Sequence, residues 1–456
     1  MFESVLIANR GEIASRVIRT VRAMGLKAIA VHSEADAGLP FVTEADEAIL
    51  IGPAQPAQSY LDADAIMEAA ERTNAQAVHP GYGFLAENAA FAQRVIDAGL
   101  VWIGPPPQAI VQMGDKINAR NLMDKAGVPV AGGTREPVAT TDEAVAAVAE
   151  IGYPVMVKAA GGGGGIGMSV ARDEAALRRA YETARTRAER FFGNPDILLE
   201  RYVERARHVE VQILGLADGT VIALGERDCS VQRRHQKVVE ETPSPGITPE
   251  LRARMLAAAV RAGEAVGYRG AGTVECLVDA DTQDFVFLEM NTRLQVEHPI
   301  TELVTGIDLV EQQLLIAAGK PVSFDQHRAE GHAIEFRVYA EDPKRFLPSP
   351  GDITVWEEPV VEGTASDEEG VTPRIRIDAG YAEGNKVTPF YDPLLAKLCV
   401  RAADRGAALG LAREAVAAFR IEGLKTNLPF FTELLGNAEF ETGAYDTGLV
   451  DRMRAS

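Results

Sequence analysis

The segment from Glu289 to Glu302, EMNTRLQVEHPITE, constrains the fold and chemistry of this chain more than any other stretch. It follows the apolar run 285–288, which predicts a β-strand. Alternate side chains of a strand share a face, so Glu289, Asn291 and Arg293 are expected to point the same way. Oxygen ligands beside a fixed cation suit Mg²⁺, which takes few carboxylates and adds water and phosphate oxygens. The alternative is a charged strand end that faces solvent.

A second carboxylate, Glu275, precedes this segment. Residues 272–279 alternate polar and apolar side chains, and the polar turn 280–284 joins them to the next strand, which predicts a β-hairpin. Glu275 and Glu289 are then expected to meet across the pair. Two carboxylates in contact repel unless a cation lies between them, and paired metals that clamp phosphoryl oxygens are one solution. Taken alone, Glu275 would be an ordinary strand residue.

A glycine-rich loop follows the strand-like residues 154–158. Residues 161–167 contain six glycines, whose free backbone amides suit an anion and whose conformational freedom predicts a mobile loop. Lys158 precedes the glycines, so the loop is not a Walker A motif, and it does not match the dinucleotide fingerprint either. Lys158 would offer a point charge to a phosphate. The alternative is a flexible linker.

Composition excludes several classes of protein. The net charge of -20 over 456 residues argues against nucleic acid and gives no support to a polybasic membrane surface. Solubility alone also accounts for this acidity. No run of about 18 apolar residues predicts a membrane span, and no secretory signal is recognisable at the N-terminus. Three scattered cysteines without CxxC spacing indicate a reducing, cytoplasmic location and no structural zinc.

The order of predicted elements indicates an α/β fold, α+β in parts, with three domains. Residues 1–112 start with a strand, a helix and a strand, which predicts a Rossmann-like parallel sheet. Their first turn carries one glycine instead of three, so no bound dinucleotide is expected. The second domain is predicted over 113–320, with a lid at about 132–203, and a β-rich α+β third domain over 333–445.

The motifs occur in an order that resembles the ATP-grasp fold and, within it, the biotin carboxylases. The resemblance covers nearly the whole chain, and its RRHQK and EMNTRLQVEHP motifs are its most specific parts. The matching segments are IANRGEIA (7–14), HPGYGFLAEN (79–88), Lys116, Lys158 with its glycine loop, ILLERYV (197–203), RRHQKVVEE (233–241), Glu275 and EMNTRLQVEHP (289–299).

The resemblance implies a set of site residues. Those implied to bind ATP are Lys116, Lys158, Gly163, Gly164, Gly165, Glu200 at the adenine amino group, the backbone of Arg201, Tyr202 and Val203, and His208, Gln232 and His235 near the ribose and phosphates. Those implied to bind Mg²⁺ or Mn²⁺ are Glu275, Glu289 and Asn291. Those implied around bicarbonate are Arg293, Gln295 and Val296, with Glu297 as general base and Lys237 near the γ-phosphate. Those implied around biotin are Arg337, Tyr82 and Gly83.

The resemblance also implies the reaction. Glu297 would remove the bicarbonate proton as its oxygen attacks the γ-phosphate of ATP, giving carboxyphosphate. Arg293 offers a bidentate fork to the bicarbonate anion, which Lys cannot. A closing glycine-rich lid would exclude water. Arg337 would stabilise the negative ureido oxygen of biotin while N1 is carboxylated. This is the first half-reaction of a biotin-dependent carboxylase of the acetyl-CoA or propionyl-CoA type.

Several of these residues also admit structural roles. His79 and His298 would serve equally as hydrogen-bonded core histidines. Arg337 lies on the polar face of a strand, where an ordinary surface arginine would look the same. His208 and His235 carry little weight outside the motif.

Two departures from the family pattern stand out. Ile166 occupies a lid position where the family usually has a basic residue, which puts lid closure and nucleotide affinity in doubt. Residues 357–377 replace a shorter turn, and their part at 360–370 is predicted to be an acidic, mobile surface loop.

No Ala-Met-Lys-Met sequence for biotin attachment occurs, so biotin is expected on a separate carrier protein or domain. The resemblance also implies a homodimer and a separate carboxyltransferase subunit. Two rival functions stay open: an ATP-grasp ligase that joins an acyl phosphate to an amine, and a nucleotide-binding regulatory subunit without catalysis. The final acyl acceptor does not follow from the sequence.

Overall fold

Five short strands near the N-terminus pair in parallel, as the alternation of strands and helices predicted. The strands are β1 (Ser4–Ile7), β2 (Lys27–Ser33), β3 (Glu47–Gly52), β4 (Ala77–His79) and β5 (Val101–Trp102). Their order is β3-β2-β1-β4-β5. The accompanying helices are α1 (Gly11–Ala23), α2 (Pro40–Glu44), α3 (Ala63–Thr73), α4 (Ala89–Asp97), α5 (Pro107–Gly114) and α6 (Lys116–Lys125). All four residues of β1 are buried, as expected of a parallel strand covered on both faces.

The structure is a computed structural model that describes residues 1–159, 168–193, 195–324, 328–361, 363–364 and 373–455. Gly163, Gly164, Gly165 and Ile166 lie outside these residues, as does most of the predicted acidic loop at 360–370.

A small antiparallel sheet occupies the predicted lid. Its elements are α7 (Thr141–Ile151), β6 (Val155–Ala159), β7 (Ser169–Ala171), α8 (Glu174–Phe192) and β8 (Ile197–Arg201). The strand order is β7-β6-β8. The two helices bury the apolar side chains of these strands in a core built from residues 138–199 alone. The lid therefore has a hydrophobic core of its own.

The remainder of the chain contributes the largest sheet. Its strands are β9 (Ala206–Gly215), β10 (Val221–Arg233), β11 (Gln236–Thr242), β12 (Gly270–Asp279), β13 (Phe285–Asn291), β14 (His332–Tyr339), β15 (Gly351–Asp352), β16 (Val355–Glu357), β17 (Arg374–Ala379), β18 (Lys386–Val387), β19 (Leu394–Ala402) and β20 (Arg420–Glu422). The helices are α9 (Pro249–Ala265), α10 (His298–Thr305), α11 (Leu309–Ala317), α12 (Arg405–Ala418), α13 (Leu428–Leu435), α14 (Ala438–Thr442) and α15 (Leu449–Ala455).

Eight of these strands form one antiparallel sheet in the order β13-β12-β9-β10-β11-β14-β19-β17. The sheet is continuous across the predicted second and third domains, whose separation stays a prediction from sequence. Helix α15 begins after residue 445, where the third domain was predicted to end, and it packs against β10.

The two faces of this sheet differ in character at strand β12. On β12, Val274, Cys276 and Val278 enter a core shared with α9, whereas Glu275 and Leu277 face a large cavity. The alternation predicted for this strand therefore has a physical basis. Among the described helices, none has both the length and the apolar character that a bilayer crossing requires.

Candidate active site

A cavity of about 1110 Å³ opens where the N-terminal sheet, the lid and the polar face of the large sheet meet. The wall of this cavity includes nineteen of the predicted site residues: Tyr82, Gly83, Lys116, Lys158, Glu200, Arg201, Tyr202, Val203, His208, Gln232, His235, Lys237, Glu275, Glu289, Asn291, Arg293, Gln295, Val296 and Arg337. Glu297 lies behind the wall and is 0% exposed. Residues widely separated in sequence are thus brought to one place.

Lys237 forms the centre of a carboxylate cluster beneath the cavity. Its Nζ lies 2.6 Å from Glu210, 2.7 Å from Glu275 and 2.7 Å from Glu297. Burial alone would lower the pKa of Lys237, but the three carboxylates raise it well above 10.5. One ammonium group therefore compensates three buried acids.

The carboxyl group of Glu297 is held in its ionised form. Its Oε1 accepts a hydrogen bond from Lys237, and its Oε2 accepts one from Arg337 Nη2 at 2.9 Å. Burial would raise its pKa, yet Lys237, Arg337 and Arg227 outweigh burial and hold the pKa of Glu297 well below 4.5. A deprotonated carboxylate in this position can accept a proton.

The predicted hairpin is present, and Glu275 lies directly opposite Glu289 in the pairing of β12 with β13. The Asn291 amide nitrogen donates to Glu275 at 2.8 Å, and its oxygen accepts from Arg293 at 3.1 Å. Burial and the charge of Glu275 raise the pKa of Glu289. Two facing carboxylates with excess negative charge fit a hard divalent cation in donor type. With the amide placed this way, the Asn291 oxygen is turned toward Arg293.

Donor atoms also cluster around Glu275 from the β9 side. The side chains of His208, Glu210 and Glu275 place one donor atom each within 4.8 Å of one another. His208 Nε2 lies 3.0 Å from Glu275, and its Nδ1 lies 2.8 Å from the amide nitrogen of Gln232. His208 and Gln232 are thus fixed beside the carboxylates instead of reaching freely into the cavity.

Arg293 lies beyond the end of β13 and forms a second polar group on the wall. Its Nη1 donates to Gln295 at 2.8 Å, and its Nε donates to Glu87 at 3.1 Å. The guanidinium is therefore oriented by neighbours from two parts of the chain. The expectation that Glu289, Asn291 and Arg293 share one face agrees with the hydrogen bond from Arg293 to Asn291.

Arg337 is 7% exposed, so it is not the surface arginine that its strand pattern also allowed. Its Nη2 lies 2.6 Å from Glu240 and 2.9 Å from Glu297. Its Nε has no hydrogen-bond partner within the described residues. Arg337 also lines the cavity, so part of its guanidinium lies where a ligand can bind.

At the opposite end of the cavity, Lys158 forms an ion pair with Glu200 across the paired strands β6 and β8. Lys116 Nζ lies 3.9 Å from Glu289. Glu200 is thus engaged by a lysine, and its predicted contact with an adenine amino group stays a prediction. His235 and Arg234 both have positive φ, at 70° and 49°, in the two-residue turn between β10 and β11, which presents His235 to the cavity.

Two candidate histidines have structural roles. His79 is fully buried, with Nε2 3.2 Å from Gln313 and Nδ1 accepting from the backbone N–H of Gly81. Burial lowers the pKa of His79 to about 4. His298 is also fully buried and contacts the carbonyl of Gln295. Both are core histidines that shape nearby turns.

Three acids near the predicted residues were missed from the sequence. Glu210 contacts Lys237, Glu240 contacts Arg337, and Glu87 contacts Arg293. The alternation of His208, Glu210 and Gln212 on one face of β9 could have indicated Glu210. Glu87 lies within the matching segment 79–88, but its contact with Arg293 arises only through the fold.

Comparison with known proteins agrees with this geometry. Residues 1–110 match the family model "Biotin carboxylase, N-terminal domain", residues 115–324 match "Carbamoyl-phosphate synthase L chain, ATP binding domain", and residues 335–452 match "Biotin carboxylase C-terminal domain".

Among curated relatives, the biotin carboxylase of Halalkalibacterium halodurans is 50% identical over 99% of this chain and 97% of its own length. The propionyl-CoA carboxylase alpha chain of Ruegeria pomeroyi is 46% identical over 99% of this chain and 68% of its own length. Among solved structures, the biotin carboxylase domain dimer of Hydrogenobacter thermophilus 2-oxoglutarate carboxylase, in complex with MgADP, ADP and bicarbonate, has a TM-score of 0.90. It shares 42% identity over 99% of this chain and 98% of that one.

Proposed function

Because the chain belongs to the biotin carboxylase family, we propose that its cavity carries out the ATP- and bicarbonate-dependent carboxylation of biotin held on a carrier protein. The observation that carries the proposal is the buried contact of Glu297 with both Lys237 and Arg337. It places a proton acceptor between a group suited to phosphate and a group suited to the biotin oxygen.

Proton transfer from bicarbonate is assigned to Glu297. Lys237 and Arg337 keep this carboxylate ionised before substrates arrive. When a phosphate of ATP recruits Lys237, Glu297 loses its nearest cation, and its pKa rises toward that of an effective base. The attacking bicarbonate oxygen then loses its proton to Glu297 as carboxyphosphate forms.

Arg293 and Gln295 are assigned to bicarbonate. Their side chains are hydrogen-bonded to each other, so the guanidinium fork is oriented before the anion arrives.

Glu275, Glu289 and Asn291 are assigned to Mg²⁺ or Mn²⁺. When bound, this cation neutralises charge on the phosphate oxygens during transfer. Carboxyphosphate breaks down to CO₂ and phosphate, the phosphate accepts the proton of biotin N1, and N1 attacks CO₂ while the Arg337 guanidinium stabilises the negative ureido oxygen.

ATP is assigned to the end of the cavity that lies against the lid. Lys116 and Lys158 supply the cations for its phosphates, and His208, Gln232 and His235 lie along its course. Glu200 and the backbone of 201–203 are assigned to the adenine, with the glycines at 163–165 as the phosphate cradle. Tyr82 and Gly83 are assigned to biotin.

The partners follow from the same proposal. The relatives named above include one chain of a propionyl-CoA carboxylase and one domain of a 2-oxoglutarate carboxylase. A biotin carboxyl carrier protein or domain, a carboxyltransferase subunit, a homodimer and a cytoplasmic location are proposed for this protein. The final acyl acceptor stays open, because that step belongs to the carboxyltransferase.

The test measures ADP release by the purified chain with Mg-ATP and bicarbonate, with and without high free biotin. Turnover should depend on bicarbonate and rise with biotin. Glu297→Gln should lower it by about 10²- to 10⁴-fold, the usual contribution of a general base. Arg337→Ala should remove the increase caused by biotin.

A flat response to free biotin calls for the same assay with a biotinylated carrier protein. Absence of turnover there would contradict the proposal. Turnover with an amino acid and without biotin would favour an ATP-grasp ligase that uses an amine, and ATP binding without any turnover would favour a regulatory subunit.

A further inference from the structure

A chain of polar contacts, with buried Glu12 and Lys397 at its centre, joins the segment assigned to biotin with the turn assigned to bicarbonate. It begins at Tyr82, whose hydroxyl donates a hydrogen bond to Glu12 in the first turn of α1. The loop that carries Tyr82 is fixed by Asn9, whose amide donates to the carbonyls of Pro80 at 2.7 Å and Tyr82 at 2.8 Å. The loop backbone at Tyr82 is therefore fixed, and the Tyr82 hydroxyl is held against Glu12.

The other carboxylate oxygen of Glu12 lies 3.0 Å from Lys397 Nζ on β19. Lys397 is 0% exposed and Glu12 is 4% exposed, so the ion pair is shielded from water. Asp378 lies 3.8 Å from the same ammonium group. A Cβ at Gly380 would lie 2.5 Å from the backbone nitrogen of Glu12, which shows how closely α1 packs at this point.

Lys397 completes the chain by donating a hydrogen bond to the carbonyl of Val296 at 3.0 Å. Val296 lies in the turn assigned to bicarbonate and directly precedes Glu297. Two residues without a place in the proposed reaction thus connect two substrate subsites through three contacts.

We propose that Glu12 and Lys397 are positioning residues that fix the Val296–Glu297 turn and transmit the presence of biotin from Tyr82 to the bicarbonate site. This inference rests on the proposed function, which assigns Tyr82 to biotin and Val296 to bicarbonate. Glu12 divides its two oxygens between Tyr82 and Lys397. A change in the hydrogen bond of Tyr82 when biotin binds alters the ion pair between Glu12 and Lys397. It thereby alters the hydrogen bond that Lys397 donates to the Val296 carbonyl.

The experiment measures ADP release by the full chain at saturating Mg-ATP while bicarbonate is varied, with and without saturating free biotin. Glu12→Gln keeps the shape of the side chain but removes its charge. The double variant with Glu12→Gln and Lys397→Met removes both charges and leaves the Val296 carbonyl without its donor. We expect this double variant to raise the KM for bicarbonate about tenfold, to leave the KM for ATP unchanged and to abolish stimulation by biotin.

A double-mutant cycle separates transmission from a general structural effect. Glu12→Gln should reduce stimulation by biotin in the wild-type background and have no further effect on stimulation in Tyr82→Phe. As a control, Arg252→Met with Glu226→Gln removes another ion pair, at 2.7 Å, between a half-buried arginine and a buried glutamate that do not line the cavity. This control should keep the wild-type KM for bicarbonate and the wild-type stimulation.

Folded variants of Glu12 and Lys397 with wild-type KM and stimulation would overturn the inference, as would additive effects in the cycle. If the double variant does not fold, the cycle of Tyr82→Phe and Glu12→Gln decides alone, because Lys397 keeps its charge and its contacts with Asp378 and Val296 there. Wild-type protein without turnover that depends on bicarbonate and biotin would instead reject the proposed function itself.

Discussion

At the scale of single residues, the cavity is organised by shared cations. Lys237 forms ion pairs with three carboxylates, and one guanidinium nitrogen of Arg337 forms ion pairs with Glu240 and Glu297. Burying a charge is costly unless it is paired, so each acid depends on a cation that a substrate can also recruit. Binding of phosphate or of the biotin oxygen therefore changes the ionisation of acids that the substrate does not touch.

The pKa of Glu240 allows this balance between burial and charge pairing to be tested through the pH dependence of stability. Burial raises its pKa from 4.5 to about 7, against the opposing effect of Arg337. A carboxyl group with a raised pKa in the folded state favours folding below pH 4.5, and this stability is lost as pH rises through about 7. Glu240→Gln mimics the protonated acid. We therefore compare the free energy of unfolding of Glu240→Gln with that of wild type at each pH. This difference should favour the variant by about 3 kcal/mol more at pH 8 than at pH 4.5.

Urea unfolding of both proteins at the two pH values measures this difference. Glu71→Gln, at an exposed helix position, is the matched control and should differ from wild type by less than about 0.5 kcal/mol at both. An effect of Glu240→Gln that does not vary with pH would show that Glu240 keeps its ordinary ionisation.

At the scale of elements, the sequence predicted the β12–β13 hairpin correctly because its signal is local. Alternation over 272–279 and the polar turn after it set the register that places Glu275 opposite Glu289. The parallel N-terminal sheet was confirmed for the same reason. Contacts between distant segments were not predictable, since Glu87 meets Arg293 and Glu12 meets Lys397 only through packing. The roles of the predicted site residues stay a prediction that the geometry supports.

Two glycines in this architecture are expected to respond oppositely to substitution by alanine. A Cβ at Gly215, where β9 pairs with β12, would lie 2.0 Å from the backbone oxygen of Tyr268, which cannot move without disturbing the sheet. Gly215→Ala should lower the free energy of unfolding by about 1–3 kcal/mol. Gly410 lies within α12, where a Cβ would meet no atom within 4 Å, so Gly410→Ala should raise it by about 0.5–1 kcal/mol. Urea unfolding measures both, and shifts in the same direction would contradict this reasoning.

At the scale of the whole molecule, the cavity lies between the large sheet and the lid, which differ in the size of their apolar cores. The eight-stranded sheet extends from β13 to β17 and packs on large apolar cores, whereas the lid has three strands and two helices with a small core of its own. Segments with fewer buried apolar contacts open at lower free energy than the rest of a protein. The lid is therefore the part best suited to open for substrates and to close over them.

Hydrogen exchange followed by mass spectrometry tests this division. Amides of α8 and β6 should exchange at least about tenfold faster than those of β9 and β12 in the free protein, since the lid opens without the large sheet. A non-hydrolysable ATP analogue with Mg²⁺ should slow exchange in the lid, because the proposed site has the nucleotide contact both Lys158 on the lid and the acids of β12 and β13. Amides of β1, which lies in the N-terminal sheet, should keep their rate and serve as the internal control. Equal rates in lid and large sheet, unchanged by nucleotide, would mean that the two open together and that substrate entry depends on another part of the fold.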